Sequence, residues 1–232
     1  MTGPRMGNTS SIRQGRRWAS DCDALSKHGY DHESYVRHLG RLQAHQATCA
    51  FVVVPDVPGD GAATLSAYLH YAPLMASDGF PLAYCLQDGA EHLELPPCDV
   101  AFLGGTDAWR AAQGAWLLQE AHAAGCRTHV GRVNSARRMR HLTFCHADSC
   151  DGTYVGYRGV ERGLREIGQW LSQVHTPQLF SPADLQATRG SAGEVLQSRP
   201  ASPQRVSTGA PLLKLNSSAE SGSLFPDFPH AS

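Results

Sequence analysis

Residues 49–55 read CAFVVVP, an unbroken apolar and β-branched run that stops at Asp56. A strand that is apolar on both faces has to be covered on both. That restricts the chain to folds in which helices pack over a parallel sheet. The same pattern recurs along the chain. PLAYCLQ (81–87), DVAFLGG (99–105) and CRTHVGR (126–132) read as further strands, RRWASD (16–21) as a short one, and HADSCDGT (146–153) contains another with its exit loop. Between them lie segments with helical spacing at 31–47, 61–75, 106–125, 134–145 and 159–174. The clearest is 106–125, with Thr106 as N-cap, Asp107 in the first turn and Gly125 at the end. Strand alternating with helix implies parallel strands joined by right-handed crossovers. An open doubly wound sheet and a closed barrel both satisfy that rhythm. About six such units fall short of the eight of a full barrel. No GxGxxG or GxxxxGK fingerprint follows the first strand, which argues against a dinucleotide site.

The composition changes near residue 175. Residues 174–232 are rich in Ser, Pro, Ala and Gly with few periodic apolar positions, and are read as a mostly disordered tail after a domain spanning 1–173. Within the tail, Ser181-Pro182 signals a helix start, over 181–188. The seven cysteines are odd in number and irregularly spaced, as expected of reduced thiols in a cytoplasmic protein. No apolar run reaches the length of a membrane span, and the N-terminal stretch has no secretory h-region. The net charge of −1 gives no global basic field, so nucleic-acid binding would rest on local groups such as Arg13, Arg16 and Arg17, or Arg132, Arg137, Arg138 and Arg140. Cys145, His146 and Cys150 are spaced unlike any standard zinc pattern, so neither a metal nor another cofactor is expected.

The strand ends carry the chemistry. The runs end in Asp21, in Asp56, in Gln87-Asp88, in Gly104-Gly105-Thr106, in Gly131-Arg132, and in Asp148 and Asp151. In a parallel sheet the carboxyl ends of the strands share one face, which is where active sites form. Single acidic residues there are often helix caps. Several carboxylates with a glutamine and a Gly-Gly pair on one face have a chemistry of their own. One carboxylate attacks an anomeric carbon, a second handles protons, and an Asp and a Gln beside an open backbone read a purine edge.

Five segments, PRMGN (4–8) with RRWASD, FVVVPDVPGD (51–60), LAYCLQDG (82–89), DVAFLGGTDAW (99–109), and HVGRVNS (129–135) with HADSCDGT, occur in this order from about Gly3 to Trp170. In these the chain resembles the guanine transglycosylases, and most closely their short DNA-directed branch, the deoxypurine-in-DNA protein A (DpdA-like) proteins. The resemblance implies a TIM-barrel-like α/β fold, here an incomplete barrel lacking a first strand. It implies a pentosyltransferase exchanging guanine in DNA for a 7-deazaguanine base, the 7-cyano form first among these. By the same resemblance Asp151 is the nucleophile with Asp148 as its rival, Asp21 is the proton-relay carboxylate, and Asp56, Gln87, Gly104 and Gly105 bind the base. Arg132, Arg137 and Arg138 lie where DNA phosphates are expected. The family's first acidic motif runs Asp-Asn-Gly or Asp-Ser-Gly, whereas this chain has Asp21-Cys22-Asp23. The cysteine-rich zinc site of the tRNA-acting relatives is absent, since no cysteine follows Cys150. An enzyme acting on tRNA, and a nucleic-acid-binding remnant without turnover, are the alternative expectations.

Overall fold

The computed structural model describes residues 1–6, 9–142 and 145–174. The expected tail, with its helix start at 181–188, lies outside the described residues. Six strands form one parallel sheet: β1 (Trp18–Ser20), β2 (Cys49–Val53), β3 (Leu82–Leu86), β4 (Val100–Leu103), β5 (Arg127–Val130) and β6 (Ser149–Cys150). Their spatial order is β1-β2-β3-β4-β5-β6. A doubly wound sheet reverses direction at a switch point, and this order never reverses. Of the two architectures the sequence allows, the barrel-type winding is the one formed.

The sheet is also curled. In a flat sheet β2 and β5 would lie about 14 Å apart, at roughly 4.8 Å per strand. Yet the rings of Phe51 on β2 and His129 on β5 have centroids 4.8 Å apart, and Phe102 on β4 lies 4.8 Å from the same His129. Arg127, at the start of β5, reaches across the same concave face to donate to the Ala50 carbonyl on β2 at 3.0 Å. The result is a half-barrel of six parallel strands, with β1 and β6 at its two ends. Outside β1, Thr2 forms a parallel bridge to Ser20: its N–H donates to the Ala19 carbonyl and its carbonyl accepts from Asp21 N–H, both at 2.8 Å. The edge expected to lack a strand therefore has a backbone partner.

The helices are α1 (Ser10–Arg13), α2 (His32–Leu42), α3 (Gly61–Ala76), α4 (Asp107–Ala123), α5 (Ala136–Leu142), α6 (Tyr154–Arg158) and α7 (Val160–Val174). Side-chain caps start three of them. Asp31 accepts from Ser34 N–H at 3.1 Å, Asp60 from Ala63 N–H at 2.9 Å, and Thr106 from Trp109 N–H at 3.4 Å. The long helical pattern at 31–47 divides into α2 and a 3-10 segment, Gln43–Thr48, which delivers the chain to β2. Short α1 and α6 carry too few residues to show a period, so the pattern did not announce them. The strands are apolar on both faces, as their sequences require. Val52, Ala83 and Ala101 have no exposed surface, and neither does Leu118 of α4. Tyr35 of α2 is buried, and its hydroxyl donates to the Val53 carbonyl at 2.7 Å, tying the helix to the end of β2. Among the described residues no helix is long and apolar enough to cross a membrane.

Two glycines in helices α2 and α3 should respond oppositely to an added methyl group. A Cβ at Gly40 meets nothing within 4 Å, so Gly40→Ala should raise stability by about 0.5–1 kcal/mol through helix propensity. A Cβ at Gly61 would lie 2.7 Å from the Ala90 nitrogen and 2.9 Å from the Asp88 carbonyl oxygen, backbone atoms that cannot swing away. Gly61→Ala should therefore cost about 1–3 kcal/mol. Urea midpoints shifting in opposite directions check the pair.

Candidate functional site

The strand-end residues are joined by a hydrogen-bonded belt along the carboxyl rim of the sheet. At its centre is Gln87, just beyond β3 and only 3 % exposed. Its Nε2 donates to Asp56 Oδ2 at 2.6 Å. Its Oε1 accepts from Gly59 N–H at 3.0 Å and from Gly105 N–H at 2.8 Å. Both carbonyl lone pairs are thus in use. The expectation that Gln87 reads a base needs revising: one Nε2 hydrogen is all it has left to offer. Gly104 packs against it, since a Cβ there would lie 2.8 Å from Gln87 Nε2. Gly104 N–H donates to the Leu86 carbonyl at 3.0 Å, so the amides of Gly104 and Gly105 both have partners within the chain. Gly105 has φ +72, and a Cβ there would collide with the Trp109 ring. Only glycine fits that turn.

Asp21 and Asp56 face each other from the ends of β1 and β2. Burial and then the neighbouring Asp56 carboxylate push Asp21 up to about 6. Burial also raises Asp56, against the opposing hydrogen bonds from Cys22, Gln87 and Cys85. Cys22 is fully buried and its thiol donates to Asp56 Oδ1 at 3.3 Å. Asp23 has φ +64. That left-handed conformation is one aspartate tolerates better than most residues. Its carboxylate accepts from the Arg5 backbone N–H and guanidinium, each at 3.4 Å.

At the other end of the rim Asp151 follows β6, which covers only Ser149 and Cys150. Its Oδ1 accepts from Arg132 N–H at 2.9 Å and its Oδ2 lies 3.4 Å from His129 Nε2. Burial alone would raise Asp151. The His129 hydrogen bond, the Arg132 amide and the His129 charge more than offset it, and the carboxyl lies below its ordinary value. His129 is 3 % exposed, wedged between Phe51 and Phe102, with Nδ1 2.8 Å from Ser149 Oγ. Gly152 keeps the exit tight, since a Cβ there would lie 2.5 Å from the Val133 carbonyl oxygen.

Asp148 is not at this rim. It precedes β6, its N–H donates to the Thr128 carbonyl at 3.2 Å, and its Oδ2 accepts from Thr128 N–H at 2.7 Å. That is the amino end of the sheet, so the expectation that Asp148 rivals Asp151 is corrected: the two carboxylates sit at opposite ends of a two-residue strand.

Of the basic residues, Arg132 and Arg138 are drawn to the rim, and Arg137 is exposed beside them on α5. The Arg132 guanidinium donates to the Gly105 carbonyl. Arg138 donates to the Arg132 carbonyl at 3.0 Å and to Asp107 Oδ2 at 2.7 Å. Arg13, Arg16 and Arg17 are exposed elsewhere. Sequence reasoning missed His129, Ser149 and Arg110. A two-residue alternation carried back from Gly131 and Asp151 would have found the first two. Among the described residues no three His, Cys, Asp or Glu side chains group as a metal site. Compared with family models, curated proteins and solved structures, the chain matches none.

A carboxyl raised to about 6 carries a sign in stability. Asp21 holds a proton in the folded state after the unfolded chain, at the ordinary value of 3.8, has lost it. Stability therefore falls as pH rises from about 4 to about 6. Asp21→Asn should remove that decline and stabilise the fold above pH 6 by on the order of 3 kcal/mol. Asp56→Asn should draw the Asp21 midpoint down, read by carbon NMR of the carboxyl.

Proposed function

We propose that the rim is a glycosyl-transfer site acting on a purine nucleotide. The observation that carries this reading is a pair of carboxyls with opposed acidities on one rim: Asp151 held ionised, and Asp21 raised to about 6. Environments that push two carboxyls apart in this way divide the roles of nucleophile and proton carrier between them. A carboxylate oxygen of Asp151 bonds to the anomeric carbon as the bond from that carbon to the purine N9 breaks. Asp21 gives its proton to the departing base. An incoming base then attacks the same carbon through N9, the ester to Asp151 breaks, and Asp21 recovers a proton from that nitrogen. Asp56, whose carboxylate neighbours Asp21, holds the edge of the base. Gln87 acts through Asp56, and His129 through Asp151, as positioning residues.

The finer assignment, exchange of guanine in DNA for a 7-deazaguanine, rests on the ordered motifs of the sequence. Taking a base out of a duplex into such a site is the strategy of enzymes that do chemistry on bases. Labelled 7-cyano-7-deazaguanine supplied with duplex DNA should be incorporated by the chain, and Asp151→Asn should lower incorporation by at least a thousandfold without changing the folded spectrum. Incorporation into tRNA and not DNA would move the acceptor to RNA. Incorporation unaffected by Asp151→Asn would overturn the reading.

A further inference from the structure

Three guanidinium groups meet beside Asp151. Arg110, one turn into α4, donates through Nη2 to the Gly131 carbonyl at 2.5 Å. Arg132 bonds the Gly105 carbonyl, and Arg138 bonds the Arg132 carbonyl. Each is fixed by a neutral backbone oxygen, which holds it in place without cancelling its charge. Two carboxylates serve all three. Asp107 takes Arg138 at 2.7 Å and lies 3.7 Å from Arg110 Nη1, beyond hydrogen-bond distance, while Asp151 takes the backbone N–H of Arg132.

The Arg110 side chain is only 9 % exposed, and its Nη1 is buried with no hydrogen-bond partner. Burial, then Arg132 and Arg138, push its guanidinium below the ordinary value. Asp107 and Asp151 offset this only in part, and Asp107, the ion-pair partner of Arg110, is shared with Arg138. A buried guanidinium with an unbonded nitrogen among like charges is costly, and an anion is what relieves it. Arg132 also has φ +58, a conformation non-glycine residues rarely adopt, and it keeps both the Asp151 amide bond and the guanidinium contact in that shape. Forked guanidinium groups suit phosphate oxygens in particular.

We propose that Arg110, Arg132 and Arg138 form a phosphate-binding site, and that it holds the phosphate of the nucleotide whose sugar Asp151 attacks. The second half of this rests on the glycosyl-transfer reading; the first does not. Arg132 supplies the link. Its amide holds the carboxylate while its side chain joins the cluster, so one side chain spans the two, comparable to the reach from a nucleotide's anomeric carbon to its own phosphate. The substrate class is therefore phosphorylated: a nucleotide, free or within a polynucleotide, and neither a nucleoside nor a plain glycoside.

Calorimetric titration of the full chain with inorganic phosphate, 2′-deoxyguanosine 5′-monophosphate and 2′-deoxyguanosine tests this. The monophosphate should bind at least tenfold more tightly than the nucleoside, and inorganic phosphate should compete with it. Arg138→Ala, at a half-exposed position, should erase that preference and leave nucleoside affinity unchanged, and Arg110→Lys should weaken it. Arg41→Ala, on exposed α2 surface, serves as the control and should do nothing. A single-stranded oligonucleotide run in parallel separates the sources. A larger Arg138→Ala loss on the oligonucleotide assigns the phosphate to a polynucleotide backbone, and a larger loss on the monophosphate to a free nucleotide. Equal affinity for nucleoside and monophosphate, or an equal loss from Arg41→Ala, overturns the proposal. Asp151→Asn should keep the phosphate preference, and a preference shown by the unaltered chain without any base exchange would sink the glycosyl-transfer reading alone.

Discussion

The rim of this sheet depends on one buried carboxamide. Gln87 bonds Asp56 with its nitrogen and the Gly59 and Gly105 amides with its oxygen, joining the exits of β2, β3 and β4. A buried amide left without these partners would cost about 1–3 kcal/mol for each unsatisfied group. The geometry is therefore mutually enforcing. The glycine turn at Gly105 has to approach closely enough to donate, Asp56 has to present an oxygen, and Gly104 has to lack a side chain. From Gly105 the network continues through its carbonyl to Arg132 and from the Arg132 amide to Asp151. The rim is thereby restrained from β2 to β6 by side chains as well as by the ladders between neighbouring strands.

That restraint separates two electrostatic districts. Around Asp21, Asp56 and Cys22 the charges are negative and buried, and protons are held. Around Arg110, Arg132 and Arg138 the charges are positive, and a carboxylate beside them stays ionised. A ligand lying across the rim meets a proton-rich end and an anion-seeking end, which is a polarity suited to a molecule with a base at one side and a phosphate at the other.

Much of the fold was legible because parallel strands buried on both faces leave continuous apolar runs, and because the residues just after each run must lie on one side of the sheet. The alternative between open and closed winding was not legible, since it depends on strand order, which no local pattern encodes. Asp148 was misjudged because a strand of two residues is too short to show where it starts. Gln87 was read as a base reader because its type and position suit that role. The backbone donors that occupy its oxygen come from residues 59 and 105, and their convergence is a tertiary fact. Arg110 resembles any surface arginine on a helix until the Gly131 carbonyl is seen beneath it.

The brevity of β6 has a consequence for how this chain tolerates change in length. Two residues separate the anchor at Asp148 from the rim at Asp151, and successive side chains in a strand alternate sides. One added or deleted residue between them would turn the Asp151 carboxylate away from His129 and Arg132 and present its neighbour instead. The distance from anchor to rim works as a fixed gauge.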